Sequence, residues 1–454
     1  MTRTTTARSL AFPVSSAFII LSCASAARAQ SDQRPVTFTK DVAPIFRDKC
    51  EACHRPESMA PMSLVTYDEA RPWARSIRAR VASRQMPPWH IDKTVGIQRF
   101  KNDRSLSDAQ IDTILRWVDA GAPMGDPKDL PPPRTWPNEL AWGFAAEFGP
   151  PDLIITSPSY TMPAHGQDVW FKPVVPTGLT EARWVRAIEI RPATLKGRRV
   201  THHALARLRQ QESADVVRAS GGDDGEDPGA GLFMEWAIGK QGELMRPNTG
   251  KLMLPGSSIQ FELHLHAVGE EIADSVELAI YFYPKNEVPK YRQVLGLFHA
   301  IAGGPRGLDI PPNSTTVHQG FHVMPKAGRI ENFQAHMHLR GKGMSMEAIL
   351  PDGKVEMLSQ VSDYHFNWHN NYVYADEAAP LLPKGTVLRF TSWHDNTAAN
   401  KDNPDPSQWV GWGDRTVDEM AHAWVNITYM SDEDFRAEVE KRKAMRATTN
   451  DPQP

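Results

Sequence analysis

Cysteine is scarce: three residues in 454, Cys23, Cys50 and Cys53. Cys23 falls inside a predicted leader, so the mature chain keeps one pair. No disulfide framework can carry the fold, and no second pair completes a zinc knuckle. An excess of one charge is also missing. The 51 basic and 54 acidic residues leave a formal charge of -3, which provides no global field for nucleic acid or a membrane surface. Long apolar runs are absent as well. The run Leu10 to Leu21 is too short to span a bilayer, and none later is long enough, so no transmembrane segment is expected in the mature chain. What remains is an ordinary hydrophobic content of 41%, in a chain long enough for two to four domains that must hold together by burying a core.

Arg3 and Arg8 precede the apolar run, and Ala27-Arg28-Ala29 follows it. This order predicts a secretory signal peptide over residues 1–29, cleaved after Ala29, and a periplasmic or secreted protein. Ser22-Cys23 offers an alternative lipoprotein acceptor.

The surviving cysteines stand in Cys50-Glu51-Ala52-Cys53-His54. Two thiols and an imidazole at this spacing form the attachment motif of one covalent c-type haem, with His54 placed to ligate the iron. Half a zinc site or a redox disulfide are the competing readings of the pair. Apolar residues predict three helices around it: one capped by Thr39, one from Tyr67 to Val81, and one opened by a Ser107/Gln110 capping box and stopped by Gly121. The sixth iron ligand is expected at Met86, on the proline-stiffened loop Gln85-Met86-Pro87-Pro88-Trp89, with Met59, Met62 and His90 as competitors. Residues 36–126 resemble a class I cytochrome c domain.

Proline crowds residues 127–151, which predicts an extended linker. Beyond it the pattern becomes short alternating stretches, such as Trp184 to Ile190, Ile259 to Leu265, Val276 to Phe282 and Val387 to Thr391, and these predict β-sandwiches. The expected fold class is therefore multidomain, a small all-α unit followed by two all-β sandwiches over 152–295 and 296–432, with a charged tail at 433–454. The glycine and aspartate cluster Gly221 to Gly229 lacks calcium-loop periodicity and reads as a hairpin excursion.

Histidines in the β region come in pairs: His202-His203, His264-x-His266 and His336-x-His338. Residues i and i+2 of a strand share a face, so a His-x-His pair can chelate one ion. Neutral imidazoles in number favour copper. Adjacent histidines need a twist or a strand end to do the same.

Four segments in order carry a resemblance: Val200-Thr201-His202-His203-Ala204, Gln260-Phe261-Glu262-Leu263-His264, His336-Met337-His338-Leu339-Arg340-Gly341-Lys342 and Asp418-Glu419-Met420. Together they resemble the copper type II, ascorbate-dependent monooxygenases, the family of peptidylglycine α-hydroxylating monooxygenase and dopamine β-monooxygenase. The resemblance covers roughly 150–432 and implies two copper ions in two jelly-roll-like sandwiches facing across an open, solvent-filled cleft. His202, His203 and His264 would hold an electron-transfer copper, with His266 as the alternative third ligand. His336, His338 and Met420 would hold the oxygen-binding copper and be catalytic. The implied reaction hydroxylates a C–H bond of a small organic substrate with dioxygen, ascorbate being the family's reductant. Here a periplasmic donor would supply electrons through the haem.

Two departures qualify the resemblance. No disulfides are available, and Gln334, His422 and Trp424 stand where the peptide-amidating member binds a carboxylate through arginine, asparagine and tyrosine. Peptide amidation is therefore not expected. An electron carrier without substrate oxidation and a copper-free binding module are the other classes. His90, His165, His299, His318, His322, His365, His369 and His394 are expected to be structural.

Overall fold

Strand outweighs helix two to one, 36% against 18%, so the chain is β-rich, as its alternating stretches predict. The computed structural model describes Met1 and residues 34–449 except 57, 137, 213–229, 238, 239 and 241. The predicted leader with Cys23, and the cluster Gly221 to Gly229, lie outside the described residues.

Helices Ala43–Lys49, Tyr67–Ala70, Ala74–Ala82 and Asp108–Asp119 enclose one apolar cluster that includes Phe38, Phe46, Ile77, Ile114 and Trp117. Ser107 and Gln110 form the expected reciprocal cap, and Gly121 takes the left-handed conformation, φ +86°, that ends the last helix. The first helix starts elsewhere than expected. Asp41 Oδ2 accepts the Thr37 N–H at 2.8 Å, so the chain already turns at Phe38–Val42 and Thr39 is buried inside that turn. The second helical stretch tightens at Arg71–Trp73, where Pro72 sits, and is capped by Thr66 with Glu69.

Residues 89–102 leave this helical unit and join the core of the second β unit. Trp89 and Ile91 are buried there, with Trp89 edge-on to Tyr372 at 4.7 Å and Phe100 stacked on Tyr374 at 5.4 Å. Four backbone bonds fasten the segment: Asp92 N–H to Gln360 O (2.7 Å), Ile97 N–H to Leu358 O (2.9 Å), Lys101 N–H to Val373 O (2.8 Å) and Ala375 N–H to Arg99 O (2.9 Å). The linker is likewise anchored. Arg47 donates to Pro131 O at 3.1 Å, Glu139 pairs with Arg55 and Arg198, and Glu189 accepts the N–H groups of Gly143 and Phe144 at 2.7 and 2.9 Å.

In the first β unit, the sheet of Val169–Phe171, Ser258–Leu265, Thr201–Arg209 and Ala230–Ala237 faces the sheet of Leu153–Thr156, Val276–Phe282, Arg183–Pro192 and Thr249–Met253. Ile188, Ile190, Leu278, Phe261, Leu263 and Phe233 fill the space between them. The second unit stacks Tyr291–His299, Ala421–Tyr429, Gly328–Ile330 and Asn332–Met337 on Thr315–Val323, Val387–Asp395, Gly341–Ile349 and Val355–Val361. The strand Tyr291–His299 runs through position 295, where the sequence suggests a boundary. Its first residues pair in parallel with Thr249 and Gly250, so one sheet continues from the first unit into the second.

Between the units, Leu205, Leu232, Leu295, Leu297 and Trp424 form an apolar seam. Beside it Lys240 binds Glu235 and Glu243, Lys251 binds Glu243 at 2.6 Å, and Asn426 of the second unit donates to Glu243 at 2.9 Å. Each buried charge is paired, as a dry interior requires. After Ser431 comes helix Asp432–Thr449.

Candidate metal centres

Cys50 follows helix Ala43–Lys49, and one tight turn, with the Cys53 and His54 N–H groups bonded to the Cys50 carbonyl at 3.1 and 2.9 Å, brings all three motif residues together. Both thiols are free. Burial pushes the Cys50 thiol up to about 12 and raises that of Cys53. His54 Nδ1 lies 3.2 Å from Met62 O, which fixes the ring and leaves Nε2 for an iron. These are the groups that would hold a covalent haem. Met86 occupies the turn after helix Ala74–Ala82, its N–H donated to Arg80 O at 3.2 Å, and Met62 packs against the helical core. His90 is drawn instead to the second β unit, 4.6 Å ring to ring from His365.

His202 and His203 open strand Thr201–Arg209, and the neighbouring strand pairs His264 with His203 but Leu265 with Thr201. His202 is therefore the extra residue of a bulge, which brings two adjacent imidazoles together, their Nδ1 atoms 3.1 Å apart. The His264 ring lies 5.1 and 4.9 Å from them, and one donor atom of each of the three falls within 4.8 Å of the others. Three imidazoles so gathered fit a copper or zinc ion. His266 stays outside this group, 6.0 Å from the His202 ring. His264 Nε2 donates to Asp168 Oδ2 at 2.8 Å, its face stacks on Trp170 at 4.4 Å, and its buried Nδ1 has no hydrogen-bond partner. A carboxylate behind an imidazole is the usual support of a metal-binding histidine. The sequence reading missed Asp168, which lies 96 residues from His264.

His336 is the last residue but one of strand Asn332–Met337, and His338 lies just beyond it, with 5.5 Å between the rings. His338 Nδ1 is 3.2 Å from Asp418 O. Glu419 gathers the backbone N–H groups of His338, Arg340 (2.9 Å) and Met420 (2.8 Å), which sets the Met420 backbone beside that of His338. Burial pushes the Glu419 carboxyl up to about 7. His422 stacks on His336 at 4.7 Å, and Gln334 pairs with Trp424 across the strands.

The open cleft implied by the family resemblance is not what the described residues form. The His203 and His336 rings are 6.0 Å apart, so the two sets adjoin. Loop 362–371 fills the remaining space. Its Phe366 stacks on His202 at 4.9 Å and meets His338 at 5.7 Å, and its fully buried His369 lies 4.7 Å from His336 and 6.0 Å from His202. His369, expected to be structural, thus belongs to the histidine cluster. The signal that could have found it is His365-Phe366-Asn367-Trp368-His369, an aromatic-rich run with a histidine at each end.

Burial lowers these imidazole pKa values, His202 to about 2 and His338 and His369 to about 4, with neighbouring imidazoles adding to the effect. All three are neutral near pH 7, the state a metal needs. A cavity of about 40 Å³ remains between the units, lined by Trp170, His203, Arg207, Met420, His422 and Trp424 among others. That is room for a few waters, well short of the roughly 300–1,000 Å³ of ordinary ligand sites. Arg207 is paired with Glu262 at 2.6 Å.

No family model and no curated protein matches the chain. Solved structures that match include the major capsid protein P2 from Bacteriophage PM2, at 10% identity over 58% of this chain and 97% of that one, TM-score 0.26. Infectious bursal disease virus Gx strain matches at 9% identity over 61% and 71%, TM-score 0.17.

Proposed function

We propose that this chain is an exported haem- and copper-dependent monooxygenase that hydroxylates a C–H bond of a small organic substrate, in sandwiches of the jelly-roll kind behind a cytochrome c domain. The observation that carries the reading is the gathering of His202, His203 and His264 with their donor nitrogens within 4.8 Å, adjoining His336 and His338 and the cavity that Met420 lines. His336, His338 and Met420 would hold a copper that would supply the dioxygen chemistry, His202, His203 and His264 would hold a second copper for electron transfer, and Cys50, Cys53 and His54, with Met86 as the candidate sixth ligand, would hold a haem able to accept electrons from a periplasmic donor.

The chain's own groups set the conditions. Burial keeps the imidazoles neutral. Asp168 orients His264, and Glu419 fixes the backbone between His338 and Met420. Gln334, His422 and Trp424 offer a substrate no cation, and Arg207 is already neutralised by Glu262. An uncharged, partly aromatic substrate suits such walls.

The small cavity favours a second reading, a periplasmic haem and copper electron carrier without substrate oxidation, because a hydroxylase must part the two units or shift loop 362–371 to admit a substrate. Metal analysis with oxygen uptake tests both. Two coppers per haem, with uptake matched by a hydroxylated product, is expected. Two coppers with no product would leave the carrier, and no copper would remove both readings.

A further inference from the structure

A second cavity, of about 620 Å³, shares no lining residue with the one beside the histidines, and its size falls within the roughly 300–1,000 Å³ usual for small-molecule sites. Its walls come from segment 89–102, the start of strand Val355–Val361, residues 378–382 and helix Asp432–Thr449. Gly96 has φ +69°, and a Cβ there would stand 2.7 Å from Leu358 O, so glycine lets the segment lie close against the strand. Leu358, Ala379 and Leu382 form a buried apolar floor, and Ile97 packs on it. From the helix, Val439, Arg442, Lys443 and Arg446 share one face, as their spacing requires. The charge is one-sided: Lys354, Arg442, Lys443 and Arg446 line the space against a single carboxylate, Glu356. Arg442 donates to Ala379 O and, at 3.1 Å, to Asp376 O, which hold the guanidinium in place without neutralising it, and Glu438 stands 3.5 Å away. Burial lowers its pKa to about 10, with Glu438 opposing and Arg329, Arg246 and Arg446 adding to the effect, so it is a cation at pH 7. Lys354 and Lys443 pair with Glu356 and Glu440 at 2.6 and 2.7 Å on open surface, weak contacts that an incoming anion can replace. No lining residue is aromatic, hydroxylated, an amide, a histidine or a cysteine. A sugar, a flat ring or a transition metal therefore finds no side-chain partner set there.

We propose that this cavity binds a small aliphatic anion, its hydrocarbon body on Ile97, Leu358, Leu382 and Val439 and its carboxylate or phosphate head at Arg442, Lys443 and Arg446. Guanidinium groups match both heads through paired N–H donors, and the stems of the long cationic side chains extend the apolar wall. A ligand so placed touches segment 89–102, the second β unit and helix Asp432–Thr449 at once, and fastens the three together. The site uses none of the groups assigned to haem or copper, so it stands or falls apart from that reading.

The test titrates the full chain by calorimetry with octanoate, octyl phosphate, octanol and octyltrimethylammonium. At least one anion should bind one to one, the tighter of the two telling a free acid from a phosphate ester, while octanol and the cation bind at least about ten-fold more weakly for want of charge-assisted hydrogen bonds. Changing the exposed pair Lys443→Gln and Arg446→Gln together should weaken the anion by a similar factor. Val439→Trp, which fills the space and keeps the cations, should abolish binding. In the unmutated protein the bound anion should slow amide hydrogen exchange both in helix Asp432–Thr449 and around Ile97, a measurement that decides the matter even where a variant folds poorly. The proposal is overturned if neither anion binds, if octanol binds as well as octanoate, if Val439→Trp leaves binding intact, or if exchange slows in neither segment.

Discussion

Asp168 is exposed enough to be overlooked, yet it is the polar partner on His264 Nε2. Its charge fixes which ring nitrogen is left for a metal, and losing such a support ordinarily costs 10–100-fold in metal affinity. Asp168→Asn is expected to weaken copper at the His202 set within that range in a competition titration, while the His336 set is unaffected. An unchanged affinity would mean that stacking on Trp170 alone orients the ring. Glu419 is a harsher case, because three backbone N–H groups converge on one buried carboxyl. Each buried donor left unsatisfied costs about 1–3 kcal/mol, so Glu419→Ala should lower stability by about 3 kcal/mol or more in urea unfolding. A loss below about 1 kcal/mol would show that water replaces the carboxylate. The histidine pairs were legible in the sequence because their spacing is local. Asp168 and His369 were not, since each is delivered by a segment distant in the chain and neither stands in a His-His or His-x-His pair.

Elements were readable where their signals were chemical. The Ser107 box and Gly121 stand where they were expected, and the period-two stretches became strands. Adjacent histidines demanded an irregularity, and the bulge at His202 provides it. Competing partners defeated the rest: Asp41 moved the first helix start away from Thr39. Segment 89–102 also gave no sign of where it would dock, because a few apolar residues between turns have no periodicity to declare a partner. Trp89 anchors that segment among Phe100 and Tyr372. Large-to-small changes at such a site cost about 3–5 kcal/mol. Trp89→Ala should therefore destabilise the chain by that order and expose the stretch around Lys93 and Arg99 to limited proteolysis before the β units open. Digestion that began in the β units instead would show that Trp89 is not what holds the segment.

The helical unit is thus joined to the second β unit by an interface that contains a titratable pair. Burial, with the nearby charge of His365 as the next cause, lowers the His90 pKa to about 4. His365 moves the other way, its pKa raised chiefly by a hydrogen bond to Asp363 at 3.2 Å. With the rings 4.6 Å apart, the hydrogen bond to Asp363 favours the proton on His365, while burial favours a neutral His90. For His90 the unfolded chain binds the proton more readily, so its contribution is complete above about pH 6.5 and is lost as pH falls through about 4, at roughly 1.4 kcal/mol per pH unit. His365 contributes oppositely, fully present below about 6.5 and lost as pH rises through its raised value. Changing His90 to glutamine removes the first dependence and leaves the second. The stability difference between parent and His90→Gln, measured by urea unfolding from pH 7 to pH 4, should then shift against the parent by about 1.4 kcal/mol for each unit below 6.5. A difference that stayed constant over that range would mean that His90 takes up its proton without leaving the interface, and that acid does not act on the molecule through this joint.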